Sequence, residues 1–215
     1  MSVFTKFATA LRGGCDSCNC RNNKDQPAKK PLFTLSLIVS VLSIGLLSDF
    51  YPMLSWLCFD HALITEQQQY WRLITAHLVH SSIEHLFWDL ITFAAAGVYL
   101  ENRNPKLFIY GLLSSLVTLS VFLLSPLTDI AKYSGLSGIL YTVICLAAWQ
   151  WLREETGFIA WLPLLAIVVK TIAELFMLDT VFVTEGWEVF SEAHIVGAGT
   201  ALLLAFYQAV GVTDI

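Results

Sequence analysis

Six long apolar runs are the feature that most constrains how this chain can fold. They cover residues 32–48, 83–100, 107–124, 135–152, 158–178 and 193–212. Each is close to the length of about 20 residues that a helix needs to cross about 30 Å of hydrocarbon. Only 13% of the 215 residues are charged, against about a quarter in soluble domains. The sequence therefore predicts an all-α membrane protein built as one six-transmembrane-helix bundle, and it argues against a disordered chain or a soluble enzyme.

The basic residues are concentrated near the N-terminus. Six of the 12 Lys and Arg residues fall within residues 1–31, although the whole chain carries a net charge of −5. A basic segment directly before an apolar run is typical of a cytoplasmic N-terminus with a signal anchor. A cleaved signal peptide is the alternative, but the sequence Leu46-Leu47-Ser48-Asp49 offers no clear cleavage site. We expect residues 1–31 to be a cytoplasmic segment and residues 32–215 to form the membrane domain.

The remaining basic residues predict the orientation of the helices. With the first segment inside, Arg103, Lys106 and Arg153 fall in cytoplasmic turns, whereas only Arg72 and Lys132 fall outside. This distribution agrees with the positive-inside rule, so both termini are expected in the cytoplasm. Nucleic-acid binding is not expected, because no aromatic or helical pattern accompanies the basic residues.

The first outer segment, residues 49–82, contains several aromatic side chains, among them Trp56, Tyr70 and Trp71. Aromatic residues in a segment that does not span the bilayer suit the membrane interface. We expect a re-entrant or interfacial helical segment here and not a solvated loop.

The cysteines and histidines do not indicate a metal site or a disulfide framework. Cys15, Cys18 and Cys20 lie in the basic segment, where a cytoplasm would keep them reduced, and no nearby histidine supplies a fourth ligand. His77, His80 and His85 are closely spaced but lack a His-Glu-x-x-His zinc signature. We predict neither a metal nor a cofactor.

Polar side chains of four apolar runs fall at similar depth, near the outer leaflet. They are His85, Asp89, Ser137, Tyr141, Lys170, Glu174 and His194. Polar groups inside lipid are costly, and chance placement would not favour one depth. The sequence therefore predicts a functional site close to the outer face of the membrane.

Two of these residues could form a nucleophile and its general base. Ser137 is flanked by Gly135 and Gly138 at the start of a helix, where free N–H groups favour negative charge. His194 precedes Gly197 in the last run, and small residues allow close helix contact. Such a crossing would bring the imidazole to the Ser137 hydroxyl. Taken singly, the serine motif is also typical of a helix contact, and the histidine of a structural group.

Together these motifs resemble the rhomboid intramembrane serine proteases. The resemblance rests on Gly135-Leu136-Ser137-Gly138 with Tyr141, on Ala193-His194 with Gly197, and on Trp71-Arg72-Leu73-Ile74-Thr75 leading to His80 and His85. Tyr133-Ser134 before Gly135, Lys170 with Glu174, and Glu192 resemble the rhombosortase branch. That branch is associated with the removal of glycine-glycine-containing C-terminal anchor tails from exported bacterial proteins.

The resemblance implies a Ser–His dyad without a third acidic member. Ser137 would attack the scissile carbonyl, His194 would transfer its proton, and Tyr141 would stack on the imidazole. His85, the Ser137 N–H and a side chain one turn after His85 would meet the oxyanion. The family usually has Asn there, whereas this chain has Asp89, which can donate a hydrogen bond only when protonated. Alternatively, Asp89 orients His85.

Lys170 and Glu174 lie four residues apart on one helical face. They are interpreted either as a structural ion pair or as a substrate gate.

The resulting hypothesis is an intramembrane serine endopeptidase of the bacterial inner membrane. Its partners would be the lipid bilayer and membrane-anchored substrates with C-terminal tails. The acyl-enzyme would be resolved by water or by transfer to an amine. The alternative is an inactive rhomboid-like protein that binds transmembrane segments, and Asp89 is the one feature in its favour.

Overall fold

The computed structural model describes residues 30–48, 53–177 and 190–210, and helices dominate it. In chain order the elements are α1 (Leu32–Ser48), α2 (Met53–Leu57), β1 (Phe59–Asp60), α3 (His61–Gln67), α4 (Arg72–Thr75), α5 (Ile83–Arg103), α6 (Pro105–Leu123), β2 (Lys132–Tyr133), α7 (Ser137–Glu154), a 3₁₀ turn (Phe158–Trp161), α8 (Leu162–Met177) and α9 (Ser191–Val210). The six long helices α1 and α5 to α9 coincide with the six apolar runs. The prediction of a helical membrane fold is therefore confirmed.

Three of the described helices, α5, α6 and α9, are long and apolar enough to cross a membrane. Their outer faces expose large apolar side chains, such as Val117, Val121 and Leu202 with 61%, 64% and 65% of their surface accessible. Such faces suit contact with lipid chains. Helix α1 is apolar but shorter. The number of six membrane spans thus stays a prediction.

Helix α7 is the centre of the bundle. It packs against α5, α6 and α9, while α1 packs on the outside of α5. Leu146 of α7 is fully buried, and so are Phe93 of α5 and Leu119 of α6. Helix α8 contacts α7 and α9. Because the Ser137 end of α7 lies among these helices, side chains from α5, α8 and α9 can all reach it.

A single residue, Asn104, turns α5 into α6. Its backbone N–H donates to the carbonyl of Leu100 at 2.7 Å, and its side chain accepts from the N–H of Leu107 at 3.0 Å. Pro105 then occupies the first position of α6, where its missing N–H costs no helical hydrogen bond. This tight turn holds α5 and α6 side by side.

The segment between α1 and α5 is built from short helices, as predicted, but it also holds a strand that the sequence did not predict. Strand β1 pairs antiparallel with β2, with Phe59 opposite Tyr133. The buried guanidinium of Arg72 donates to the carbonyls of Ser55 and Cys58 at 3.0 and 2.8 Å. The Arg72 hydrogen bonds hold the segment together, and the strand pairing fixes it to the chain that leads into α7.

A buried carboxylate at the other end of α5 holds α1 in place. Glu101 accepts hydrogen bonds from the backbone N–H groups of Phe33 and Thr34 at 3.0 and 2.8 Å, and from the Thr34 hydroxyl at 2.7 Å. These N–H groups belong to the first turn of α1, where backbone N–H groups have no acceptor within their own helix. Glu101 therefore acts as a capping residue supplied by another helix.

Candidate active site

Ser137 is the first residue of α7 and is partly exposed. The chain enters this position through Gly135, whose φ of +125° is unfavourable for residues with a side chain. The N-cap residue Leu136 makes no side-chain cap. The Leu136 side chain therefore caps none of the first N–H groups of α7, and N–H groups at a helix start suit a developing negative charge.

The backbones of α7 and α9 touch next to Ser137. A Cβ atom at Gly197 would lie 2.2 Å from the carbonyl oxygen of Gly138, closer than non-bonded atoms can approach. The hydroxyl of Thr142 donates to the Gly197 carbonyl at 2.9 Å and strengthens the contact. This confirms the predicted close crossing of the two helices.

The crossing places the His194 imidazole against α7, one turn from Ser137. Its ring stacks on Tyr141 with centroids 4.2 Å apart and planes at 11°. His194 is buried, with 4% of its surface accessible. Within the described residues no hydrogen bond joins Ser137 to His194. Catalytic hydrogen bonds are often long without substrate and tighten only in the complex.

Glu174 lies against the imidazole of His194, a contact that was not predicted from the sequence. Its Oε2 lies 3.0 Å from His194 Nδ1 and accepts from the Tyr141 hydroxyl at 2.8 Å. Its Oε1 is paired with Lys170 Nζ. Glu174 is only 4% exposed, so its carboxylate is buried next to the imidazole. The predicted ion pair with Lys170 is present, and the Lys170 side chain remains 35% exposed.

Asp89 lies between two histidines and away from solvent. Its Oδ2 is 3.2 Å from His80 Nε2 and 3.5 Å from His85 Nε2. His80 Nε2 is also 3.4 Å from the backbone N–H of Leu136, one residue before Ser137. Asp89 therefore lies beside both imidazoles.

The ring of His85 packs directly on Gly135. A Cβ atom at residue 135 would lie 2.9 Å from His85 Cε1. Glycine is therefore required at position 135 for two reasons: its positive φ, and the lack of space for a Cβ atom beside the His85 ring. His85, on α5, consequently packs against the residue that lies two positions before the candidate nucleophile Ser137.

The polar residues that the sequence assigned to one depth lie near the first two turns of α7. The contact of His80 with the backbone N–H of Leu136 was not predicted from the sequence. Its position nine residues before Asp89 carries no helical periodicity, because α5 begins at Ile83. Only the backbone of the intervening turn brings the two side chains together.

No group of three or more His, Cys, Asp or Glu side chains is placed to hold a metal ion in the described part of the chain. Cys15, Cys18 and Cys20 lie outside the described residues.

His77 makes folding sensitive to acid. It is 2% exposed, and burial lowers its pKa from 6.5 to about 4, which the nearby Gly135 backbone offsets only in part. An unfolded chain takes up this proton below pH 6.5, so stability is complete above that pH and falls as the pH drops through about 4. We expect a loss of about 3 kcal/mol over this range. Thermal denaturation in detergent from pH 8 to pH 4 measures it.

The variant His77→Phe is expected to be less sensitive to acid than the wild type, because it keeps the ring contact with Tyr133 and lacks the titrating group. His61→Phe, at a partly exposed histidine, is the matched control and should behave as the wild type. Equal acid sensitivity of His77→Phe and the wild type would contradict the assignment.

Comparison with known proteins agrees with this geometry. Residues 67–210 match the model of the Rhomboid domain family. Over 189 residues the chain is 27% identical to the rhomboid protease GlpG of Pectobacterium atrosepticum, with 84% of this chain and 64% of that protein covered. The chain thus spans less than two thirds of the length of this relative. The matched domain includes α4 to α9, and the chain belongs to the rhomboid family.

Proposed function

We propose that this chain is an intramembrane serine endopeptidase, with Ser137 as the nucleophile and His194 as the general base. Ser137 Oγ attacks the scissile carbonyl while its proton passes to His194 Nε2. The imidazolium then gives this proton to the leaving amine, and a second nucleophile releases the acyl group. Membership of the rhomboid family supports a protease of this type.

The observation that carries the proposal is the stacking of His194 on Tyr141. Tyr141 follows Ser137 by four residues on α7, so both side chains lie on the same face of that helix. The stacked ring is 4.2 Å from that of Tyr141, while the contact of Gly197 with Gly138 fixes the distance between the two helices. These contacts support an imidazole that lies at the level of the Ser137 hydroxyl.

The oxyanion is met by His85 and by the N–H of Ser137. The N–H of Ser137 lies at the start of α7, where the helix dipole adds to its effect, and His85 packs on Gly135 directly before this start. Asp89 acts through His85 and His80, whose Nε2 atoms it contacts. A departure from Asn at this position is then compatible with catalysis, because Asp89 need not donate to the oxyanion itself.

The substrates are membrane-anchored proteins whose C-terminal tails, of the glycine-glycine type, are cut near the outer face of a bacterial inner membrane. This part of the proposal rests on the motifs shared with the rhombosortase branch. It also rests on the positive-inside distribution, which leaves both termini in the cytoplasm.

Co-expression of the chain with a secreted protein that ends in a glycine-rich anchor tail tests the proposal. We expect loss of the tail, and mass spectrometry of the new C-terminus gives the cleavage position. A free carboxyl group indicates hydrolysis, and a mass increased by an amine indicates transfer. Ser137→Ala is the control.

Retention of the tail in the presence of wild-type chain would contradict the proposed substrate class. Equal tail removal by wild type and Ser137→Ala would contradict the proposed enzyme and favour an inactive relative that binds transmembrane segments.

A further inference from the structure

We propose that Glu174 is the positioning acid of a Ser137–His194–Glu174 relay and that Lys170 tunes it. This inference rests on the proposed protease function and goes beyond a two-residue mechanism. It follows from three contacts that converge on one buried carboxylate.

The first step is the proton on the imidazole. Glu174 Oε2 lies 3.0 Å from His194 Nδ1, and an ionised carboxylate can only accept. Nδ1 therefore carries the hydrogen, and we assign the lone pair to Nε2. This is the tautomer that a general base needs when the nucleophile faces Nε2.

The second step is the charge of the carboxylate. Lys170 Nζ pairs with Oε1 of Glu174 and also donates to the Tyr141 hydroxyl at 3.2 Å. The side chain of Glu174 is 1% exposed, and a buried carboxylate without a counter-ion would be costly. Tyr141 and the imidazole also donate to this carboxylate, so the main effect of Lys170 is to offset part of the field that Glu174 exerts on the imidazole.

The third step is orientation. Tyr141 donates to Glu174 Oε2 at 2.8 Å, and its ring stacks on the imidazole. The imidazole is consequently fixed by its plane through Tyr141 and by its edge through Glu174. Neither Glu174 nor Lys170 touches the reacting atoms in this arrangement.

The relay balances without any further reactant. As the Oγ–C bond forms, the Ser137 proton moves to His194 Nε2, and as the C–N bond breaks, the same proton moves to the leaving amine. The Nδ1 hydrogen stays on the imidazole, and Glu174 remains a carboxylate throughout. Its negative charge stabilises the imidazolium that exists between the two transfers.

The test measures the rate at which a fluorophosphonate labels Ser137 in the purified chain in detergent, between pH 5 and pH 9. Other groups that act on His194 are kept constant. They are Tyr141 on α7 and His85 on α5. Glu174→Gln is expected to label about 10²-fold or more slowly. The acidic limb of its profile should move to lower pH, because the imidazolium loses its negative partner.

Lys170→Met is expected to move the acidic limb in the opposite direction, to higher pH, because the carboxylate then acts on the imidazolium without its counter-ion. Opposite shifts of the acidic limb distinguish a relay from a purely structural ion pair. Both substitutions remove the ion pair, so a structural role would change the two pH profiles in the same way. Glu192→Gln is the matched control, since it removes one exposed carboxylate two residues from His194. It should label within about twofold of the wild type.

The outcomes separate the two proposals. Labelling of the wild type that is lost in Ser137→Ala supports the protease, and an unlabelled wild type would overturn it. If the wild type is labelled but Glu174→Gln keeps its rate and pH profile, the relay is overturned while the protease stands. If Glu174→Gln does not fold, Lys170→Met decides, and an unmoved or lowered acidic limb in that variant overturns the relay.

Discussion

Replacement of Ser137 by alanine is expected to reduce cleavage of a membrane-anchored substrate by roughly 10⁴-fold or more, because the covalent route is lost. The side chain is small and partly exposed at the first position of α7, so its removal leaves no sizeable cavity. The thermal stability of the variant in detergent should therefore equal that of the wild type. The rate is measured by mass spectrometry of purified substrate and enzyme over time.

Ser134→Ala provides a matched control for this experiment. Ser134 lies three residues earlier in the same segment, is 3% exposed and makes no hydrogen bond within the described residues. Its loss should leave the rate within a few-fold of the wild type. Comparable rates for Ser137→Ala and Ser134→Ala would exclude Ser137 as the nucleophile.

Replacement of Gly197 by alanine is expected to have the second largest effect. The new Cβ atom would meet the carbonyl oxygen of Gly138 at 2.2 Å, and a backbone atom cannot rotate away as a side chain can. Helix α9 must therefore shift, which carries His194 away from Ser137. A displacement of about 1 Å at a catalytic group can cost about 10²-fold in rate. We expect at least this loss together with a lower melting temperature.

Gly199 supplies the comparison for Gly197. It lies two residues further along α9, and a Cβ atom there would meet nothing within 4 Å. Gly199→Ala should keep the activity and gain a few tenths to about 1 kcal/mol from its better helix propensity. An active and stable Gly197→Ala variant would mean that the two backbones do not touch in the membrane.

The long helices could be predicted from sequence because their signal is local. Apolar runs such as residues 107–124 need no partner to be recognised, and their ends follow from prolines and charges. The close contact of α7 with α9 next to Ser137 and His194 could be predicted as well. Gly138 and Gly197 mark faces that tolerate backbone contact, and both candidate residues lie beside these faces.

The contacts of Glu174 could not be predicted in the same way. Its spacing from Lys170 reveals the ion pair within α8, but not the direction in which this pair faces. That direction depends on how α8 rotates against α7 and α9, and most of the other residues of α8 are apolar. The pairing of β1 with β2 was missed for a related reason, since strands of two residues carry no alternating pattern.

The contact of Glu101 with α1 has a consequence for the order in which the molecule assembles. Glu101 and Thr34 are 67 residues apart in sequence. The first helix therefore leaves the ribosome before the residue that caps it has been synthesised. Until α5 is complete, the backbone N–H groups of Phe33 and Thr34 lack this carboxylate and need water as their hydrogen-bond partner. The hydrogen bonds of Glu101 then join α1 to α5, at the end of α5 that lies far from His85.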